Sequence, residues 1–178
     1  WNQLGADIDG EQGGDVCGWS VSLSSDGMIV AVGAPAFPFY HGSGLGHVRI
    51  YSWDGSSWNK LGANIYGEEF DDDFGRSVSL SSDGLTVAIG APNNDENGSN
   101  SGHVRIYSWD GLSWNQQGAD IDGEATGDRT GCSVSLSSDG MTLAIGADFN
   151  DGNDTNSGHV RIYSVSYTHL TLPTKLAV

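Results

Sequence analysis

The chain has 178 residues, of which 23 are acidic and 7 are basic, so its formal net charge is −16 at pH 7. A surface this negative repels nucleic acid and anionic membranes and attracts cations. We therefore expect no nucleic-acid partner and no membrane insertion by this segment, although a salt-adapted protein would carry the same imbalance.

Residues 1–9 have the sequence WNQLGADID. Trp1 aligns with Trp58 and Trp114, which follow hairpin turns further along the chain. We therefore expect residues 1–9 to form a lone outer strand whose hairpin partner is missing. This predicts that residues 1–164 are the middle of a longer protein.

Three copies of one sequence unit follow. Residues 77–91 and 133–147 agree at 13 of 15 positions, and residues 20–34 agree with the middle copy at 12 of 15. A repeat of this kind indicates a modular architecture and is considered before any single element. The repeats are assigned to residues 10–66, 67–122 and 123–164.

Hydrophobic residues within a copy recur with a period of two. In the middle copy, Val78 and Leu80 are separated by serine, and Leu85, Val87 and Ile89 are separated by Thr and Ala. This alternation predicts two β-strands. The Ser-Ser-Asp-Gly sequence between them predicts a tight hairpin turn, with the Asp-Gly pair in positive backbone dihedrals.

A second turn follows the third predicted strand of each copy. In the middle copy it occupies residues 110–113 and leads into a fourth strand that starts at Trp114. Trp109 and Trp114 flank this turn, so we expect a cross-strand aromatic pair. Trp53 and Trp58 predict the same pair in the preceding copy.

One unit is thus a four-stranded antiparallel meander without a helix. A sheet this small cannot bury both faces alone, so we expect an all-β fold of stacked β-propeller blades. About three four-stranded units would form an incomplete propeller, because closure takes about four to eight blades. A parallel β-helix is the competing architecture, but its coils are shorter and lack hairpin turns.

The loop at residues 36–46 of the first copy is unusually aromatic. It contains Phe37, Phe39 and Tyr40, where the other copies have Asn, Asp, Gly and Ser. Such a loop can contact a ligand or a partner protein. Alternatively, its rings fold back over the edge of the blade.

Acidic residues collect in the loops between copies. In two loops, acids stand at positions 1, 3, 5 and 9, a spacing that suits calcium, which takes six to eight oxygen ligands. The middle loop has Asn64 and Tyr66 at the first two positions. The alternative is that Asp9 and Asp122 cap turns while the other acids are solvated. The predicted calcium ligands are Asp7, Asp9, Glu11 and Asp15, then Asp120, Asp122, Glu124 and Asp128, and in the degraded middle loop Glu68 and Asp72.

A further candidate lies in the loop that contains the sequence NDGND. Asp148, Asn150 and Asp154 offer oxygen ligands there. Asn, Asp and Gly also suit such loops without any ion, and we favour that interpretation.

His47, His103 and His159 occupy equivalent positions, which invites a metal site built from several blades. We expect instead that each histidine packs or hydrogen-bonds within its own blade. The Arg and Tyr that follow it at alternate positions would continue this structural ladder.

One pair of short motifs resembles a known family. Phe74-Gly75 followed by Gly90-Ala91-Pro92 is similar to the FG-GAP repeat of integrin alpha-subunit propellers and of related bacterial and algal surface proteins. The other copies hold partial versions, Cys17-Gly18 with Gly33-Ala34-Pro35 and Thr130-Gly131 with Gly146-Ala147-Asp148.

The resemblance implies a seven-bladed propeller, calcium in blade loops, and adhesion or ligand recognition at the cell surface or in the extracellular space. The ligand would be a protein or a glycan. In that family, calcium binds between the Phe-Gly and Gly-Ala-Pro elements, where this chain has only a short hairpin. The calcium ligands predicted above therefore rest on spacing alone.

No catalytic constellation is visible, so we do not expect an enzyme. Serine is abundant but lies in repeated strands and turns, without a nucleophile elbow. Cys17 and Cys132 are not equivalent, and no disulfide is expected between them. Two alternatives stay open: a propeller hydrolase or lyase acting on glycans through missing blades, and a purely structural surface repeat.

The repeat breaks at Val165, where Trp53 and Trp109 predict tryptophan. From there VSYTHLTLPT resembles a translated adaptor used in preparing sequencing libraries. We therefore interpret residues 165–178 as an artefact and exclude them from the fold. The alternative is a natural C-terminal strand.

Overall fold

The computed structural model describes residues 1–35 and 44–165. Within these residues all regular structure is β, arranged in three antiparallel sheets. No helix there is a candidate for a membrane span. The aromatic residues of the loop after Pro35 and the tail beyond Val165 lie outside the described residues, so both predictions stay untested.

Each sheet corresponds to one copy of the repeat and is a propeller blade, as expected. Cys17 and Cys132 are free thiols. The first blade contains β1 (Ser20–Leu23), β2 (Ile29–Ala34), β3 (His47–Trp53), β4 (Trp58–Lys60) and β5 (Ile65–Tyr66). The second contains β6 (Ser77–Leu80), β7 (Thr86–Ala91), β8 (His103–Trp109), β9 (Trp114–Gln116) and β10 (Ile121–Asp122). The third contains β11 (Thr130–Leu136), β12 (Thr142–Ala147) and β13 (His159–Ser164).

The predicted hairpin between the first two strands of a blade is present, with one correction. Ser81 N–H donates to the carbonyl of Thr86 at 2.9 Å, which closes the loop. Gly84 has a φ of 71°, whereas Asp83 is not in the positive-φ region. Asp83 acts through its carboxylate instead, which accepts hydrogen bonds from Ser81 Oγ at 2.6 Å and from Leu85 N–H at 2.9 Å.

The predicted fourth strand is split into two short strands. Trp109 and Trp114 are directly opposite each other, with ring centroids 5.4 Å apart, as predicted. The chain then turns at Gly118, with a φ of 74°, and pairs again with β8 as β10. The first blade repeats this arrangement, and the rings of Trp53 and Trp58 are 5.3 Å apart.

Residues 1–9 contain no strand, contrary to the prediction. No described strand pairs with this segment, and a strand needs a partner for its backbone groups. The segment is held instead by Trp58, whose Nε1–H donates to the carbonyl of Leu4 at 3.1 Å. Trp114 makes the same contact with the carbonyl of Leu61 at 2.9 Å. Each tryptophan pair therefore docks against the equivalent segment one repeat earlier in the chain.

The blades pack face to face through two apolar cores. Between the first and second blades, Val48 and Ile50 share one buried cluster with Val78 and Leu80. Between the second and third blades, a second cluster joins β8 to β11 and β12. Its buried members include Val104, Ile106, Leu136, Leu143 and Ile145.

Serine side chains on the other face of the first strands bond to the next blade. Ser77 Oγ donates to the carbonyl of Gly131 at 2.8 Å, and Leu136 N–H donates to Ser79 Oγ at 2.9 Å. We call this set of hydrogen bonds the serine seam. Its equivalents between the first two blades are Ser20 Oγ to the Gly75 carbonyl at 2.7 Å and Leu80 N–H to Ser22 Oγ at 3.0 Å.

The two outermost sheet faces remain exposed. Val21 and Leu23 of β1 are 64% and 60% exposed, and Val160 and Ile162 of β13 are 67% and 65% exposed. Their counterparts in the other blades are buried or partly buried between blades. The structure therefore has two uncovered apolar faces, one on β1 of the first blade and one on β13 of the third.

Candidate metal site

The predicted ligands at position 9 of the loops are buried turn caps. Oδ2 of Asp15 accepts hydrogen bonds from the backbone N–H groups of Glu11 and Gln12, both at 2.9 Å. Oδ2 of Asp128 accepts one from the N–H of Ala125 at 3.1 Å. Turn capping thus occurs in these loops, but later in each loop than the sequence analysis placed it.

In the second and third blades, an asparagine from the loop before the third strand bonds to the aspartate at position 9. Asn94 Nδ2 donates to Asp72 at 2.9 Å, and Asn150 Nδ2 donates to Asp128 at 2.8 Å. Burial raises the pKa of Asp72, although the bond from Asn94 lowers it in part. Asn150 therefore links its loop to the loop that contains Asp128. The other candidate ligands of its loop, Asp148 and Asp154, are exposed.

The glutamates at position 5 pair with arginines. Each contacts the arginine of the third strand in the blade that follows its loop, which offsets the negative charge before any ion binds. The pairs are Glu11 with Arg49 at 3.6 Å, Glu68 with Arg105, and Glu124 with Arg161.

The predicted ligand sets are divided between blades. Asp120 precedes β10 and Asp122 lies in it, at the outer edge of the second blade, whereas Glu124 and Asp128 lie in the loop to the third blade. Asp7 and Asp9 are exposed in the segment before the first blade. The four acids of one set are therefore close in sequence but lie in different structural elements. Calcium binding by these loops stays a prediction.

Asp120 and Asp122 meet two residues that the sequence analysis did not select as ligands. Glu96 comes from the loop between β7 and β8, and His103 is the first residue of β8. The four side chains each offer one ligand atom, and these atoms all lie within 4.8 Å of one another. Among residues 1–35 and 44–165, this is the one such group of histidine and acidic side chains. We call it the blade-two cluster.

Strand register explains the blade-two cluster. In the antiparallel pairing of β10 with β8, Asp122 lies opposite His103. Opposed residues of such a pair have neighbouring side chains. The alignment of histidines and the alternation of acids were both visible in the sequence, but the pairing that joins them depends on the split outer strand.

His103 is 1% exposed, and neither of its ring nitrogens has a hydrogen-bond partner in the described structure. Its Nδ1 lies 3.6 Å from Oδ2 of Asp120. Of the two expected alternatives, packing or hydrogen bonding within the blade, burial of His103 fits packing. Burial and then the charge of Arg105 lower the pKa of His103, against the opposing effect of nearby acids, so the neutral ring is favoured.

Asp120 is held from two sides. Its Oδ2 accepts hydrogen bonds from Arg105 Nε at 2.8 Å and Nη2 at 2.6 Å, and its Oδ1 accepts one from Gln116 Nε2 at 2.6 Å. Burial alone would raise the pKa of Asp120, but the bonds and charge of Arg105 outweigh it and lower the pKa. This carboxylate is therefore ionised and fixed in orientation.

Glu96 experiences unbalanced negative charge. Asp122, then burial, then Asp120 raise the pKa of the Glu96 carboxyl. A cation among these groups would relieve the repulsion between them. The blade-two cluster could therefore hold a metal ion.

A cleft of about 250 Å³ adjoins the cluster and shares Glu96 with it. Because three more acids line this cleft, it suits a ligand that carries positive charge or binds through a cation. Its lining residues are Glu68, Glu69, Asn94, Asp95 and Glu96.

The equivalent place in the first blade lacks the acids. His47 is buried there as well, but Tyr66 packs on it with ring centroids 5.7 Å apart. Asn64 stands where the second blade has Asp120. In the described part of the third blade, no outer strand lies beside His159.

The sequence profile of the FG-GAP repeat matches residues 67–107 and 119–163. These matches cover most of the second and third copies of the repeat. None of the curated proteins matches the chain.

Two solved structures share the arrangement of blades. A candidate 6-phosphogluconolactonase from Bacteroides uniformis is 16% identical, with a TM-score of 0.55 over 84% of this chain and 37% of its own. Hydrazine synthase from Kuenenia stuttgartiensis is 15% identical, with a TM-score of 0.50 over 82% of this chain and 33% of its own. At these identities the likeness shows the fold alone. The chain spans about a third of the length of either structure.

Proposed function

Because this chain is an FG-GAP repeat protein built from β-propeller blades, we propose that it belongs to a non-enzymatic binding propeller with a role in adhesion or ligand recognition. Its partner would be a protein or a glycan at the cell surface or in the extracellular space. Calcium would support its acidic loops.

The single observation that carries this proposal is the cleft beside the blade-two cluster. Loops at one edge of a rigid sheet place Glu69, Asp95 and Glu96 around one opening. Binding residues commonly lie on loops that a rigid scaffold positions. Arg105, which pairs with Glu68 of the cleft lining, is also bonded to Asp120. The cleft therefore favours a cationic ligand, or a ligand with carboxylate or hydroxyl groups that a bound cation bridges.

The repeated serines support a non-enzymatic role. Ser77 and Ser79 are used in the serine seam, so their hydroxyls are occupied in joining blades. A serine nucleophile needs an adjacent base that accepts its proton. These hydroxyls bond instead to a backbone carbonyl and a backbone N–H. The activity named for the Bacteroides protein belongs to that protein, because the likeness extends to the fold only.

A binding panel tests the proposal. The whole chain would be immobilised and exposed to extracellular-matrix proteins and glycans, with millimolar calcium or with a chelator. We expect at least one ligand to bind with calcium present and to be lost on chelation. Glu69→Gln, in the cleft, should weaken that binding, whereas Asp154→Asn makes the same change of charge on an exposed loop and should not.

Two results would argue against the proposal. Cleavage of a glycan on the panel would favour the propeller hydrolase or lyase. Absence of any binding, with or without calcium, would leave the purely structural repeat.

A further inference from the structure

We infer that the blade-two cluster of Glu96, His103, Asp120 and Asp122 is a binding site for a divalent transition-metal ion of the zinc class. This site shares Asp120 and Asp122 with one of the predicted calcium loops, but it adds Glu96 and His103 and is assigned to a different ion. It does not depend on which ligand, if any, the propeller binds.

The positions of the four ligand atoms suit a single ion. They lie within 4.8 Å of one another. The ligands of a tetrahedral zinc ion stand about 3.4 Å apart at metal–ligand distances near 2.1 Å, so the four atoms need to move only a short distance closer together. Glu96 and Asp122 are exposed and can rotate inward, while His103 and Asp120 are held in place. Binding therefore needs movement of two surface side chains and none of the backbone.

His103 is the observation that separates this site from an ordinary acidic patch. The residue is only 1% exposed, yet both ring nitrogens lack hydrogen-bond partners among the described residues. Buried polar groups are usually paired, and an unpaired one calls for an explanation such as an ion. Because Nδ1 faces Oδ2 of Asp120 at 3.6 Å, a metal between them would satisfy the ring.

The chemistry of the ligands decides which ion is expected. Calcium and magnesium prefer oxygen ligands throughout, whereas zinc and its neighbours accept imidazole together with carboxylates. The blade-two cluster offers one imidazole nitrogen and three carboxylates. This donor set is typical of zinc, cobalt or manganese, and the buried histidine argues against calcium.

The surroundings of Asp120 resemble the supporting shell of a metal site. Arg105 and Gln116 bond to its two oxygens and fix the plane of the carboxylate. Such outer contacts orient ligands and commonly affect metal affinity. The positive charge of Arg105 would oppose a cation, but Glu68 pairs with it and offsets that charge.

The first blade provides a control within the same chain. It keeps the buried histidine as His47 but has Asn64 and Tyr66 in place of the two aspartates. Loss of a ligand in the second blade can therefore be compared with the same substitution where no site is assigned.

The test uses the whole 178-residue chain with zinc and with cobalt as a spectroscopic probe. Calorimetry should show one zinc ion per chain, and cobalt should give absorption without a thiolate charge-transfer band. Asp122→Asn changes an exposed residue and should weaken zinc at least about tenfold. His103→Gln should weaken it as much or more. His47→Gln, the matched control in the first blade, should leave affinity unchanged.

Each other outcome overturns the inference. Undiminished zinc binding in Asp122→Asn or His103→Gln would place the metal elsewhere, and a thiolate band would place it at Cys17 or Cys132. Calcium binding that Asp122→Asn abolishes but His103→Gln does not would assign the residues to an oxygen site. No zinc binding at micromolar metal would remove the site and leave the ligand-binding proposal intact.

Discussion

Ser77 Oγ in the second blade donates a hydrogen bond of 2.8 Å to the carbonyl oxygen of Gly131 in the third. Gly90 lies opposite Ser77 in β7, and a Cβ atom on Gly90 would stand 2.1 Å from that same oxygen. The glycines that the FG and GAP halves of the repeat contribute therefore meet in one contact between blades. In this chain, those two positions are required for close packing between blades.

This contact predicts that Ser77→Ala destabilises the chain more than Ser133→Ala. Ser77→Ala removes the hydrogen bond to the Gly131 carbonyl between the blades. This loss should lower the free energy of unfolding by about 1 kcal/mol. Ser133 is exposed and has no further blade beside it in the described structure. Urea denaturation of both variants measures the difference. Equal losses would mean that the serine seam contributes nothing to blade packing.

Gly62→Ala should be more destabilising than Gly118→Ala. Both glycines have positive φ, 80° and 74°, so each alanine is strained by about 1 kcal/mol. A Cβ at Gly62 would also lie 2.6 Å from Cζ3 of Trp109, whereas nothing lies within 4 Å of one at Gly118. Overpacking adds about 1–3 kcal/mol to the first variant.

Chemical denaturation followed by tryptophan fluorescence compares the two alanine variants. If the Gly118 variant is the less stable one, the docking of the tryptophan pair onto the preceding segment is not a packing constraint.

Asp73→Asn should stabilise the chain at neutral pH. Burial raises the pKa of Asp73 to about 6, despite the opposing charges of Arg76 and Arg129. Between the unfolded pKa near 3.9 and this value, the folded state holds a proton that the unfolded state releases. Stability therefore falls as pH rises through that window, and the full penalty applies above about pH 6.

The asparagine variant removes this penalty, on the order of 3 kcal/mol, and the gain should vanish below about pH 4. Asn93, which donates to the Asp73 carboxylate at 3.0 Å, can donate to an amide oxygen as well. Asp71→Asn is the control, because Asp71 also has positive φ but is exposed. Denaturation curves from pH 4 to pH 8 give the test, and a gain that does not vary with pH would contradict the assigned cause.

Ile162→Glu should reduce self-association of the chain. The exposed face of β13 corresponds to the faces of β3 and β8 that the next blade buries, and the exposed face of β1 corresponds to that of β6. The two uncovered faces are therefore complementary between copies, in a head-to-tail arrangement. Leu112→Glu is the control, since Leu112 is 84% exposed at a hairpin tip.

Sedimentation velocity over a range of concentrations measures this association. A wild-type chain that stays monomeric throughout would show that the open faces do not join.

The strands were predictable because their pattern is local. Val78 and Leu80 alternate with serines whose opposite orientation serves the next blade, so one short run specifies both faces of β6. The blade-two cluster was only half predictable. Asp122 meets His103 through the register of β10 on β8, which follows the turn at Gly118 and cannot be read from the linear spacing of the acids.

Each blade carries a donor hydroxyl on one face and, at the start of its first strand, the glycine carbonyl that accepts from its neighbour. Tandem duplication of one such unit in a gene would therefore add a blade together with both the donor and the acceptor of the bond between blades. The neighbours would need no compensating substitution, because they already present the matching half. A whole blade can therefore be gained or lost without altering the bond that joins its neighbours, because Ser77 donates to a backbone carbonyl and not to a side chain of the next blade.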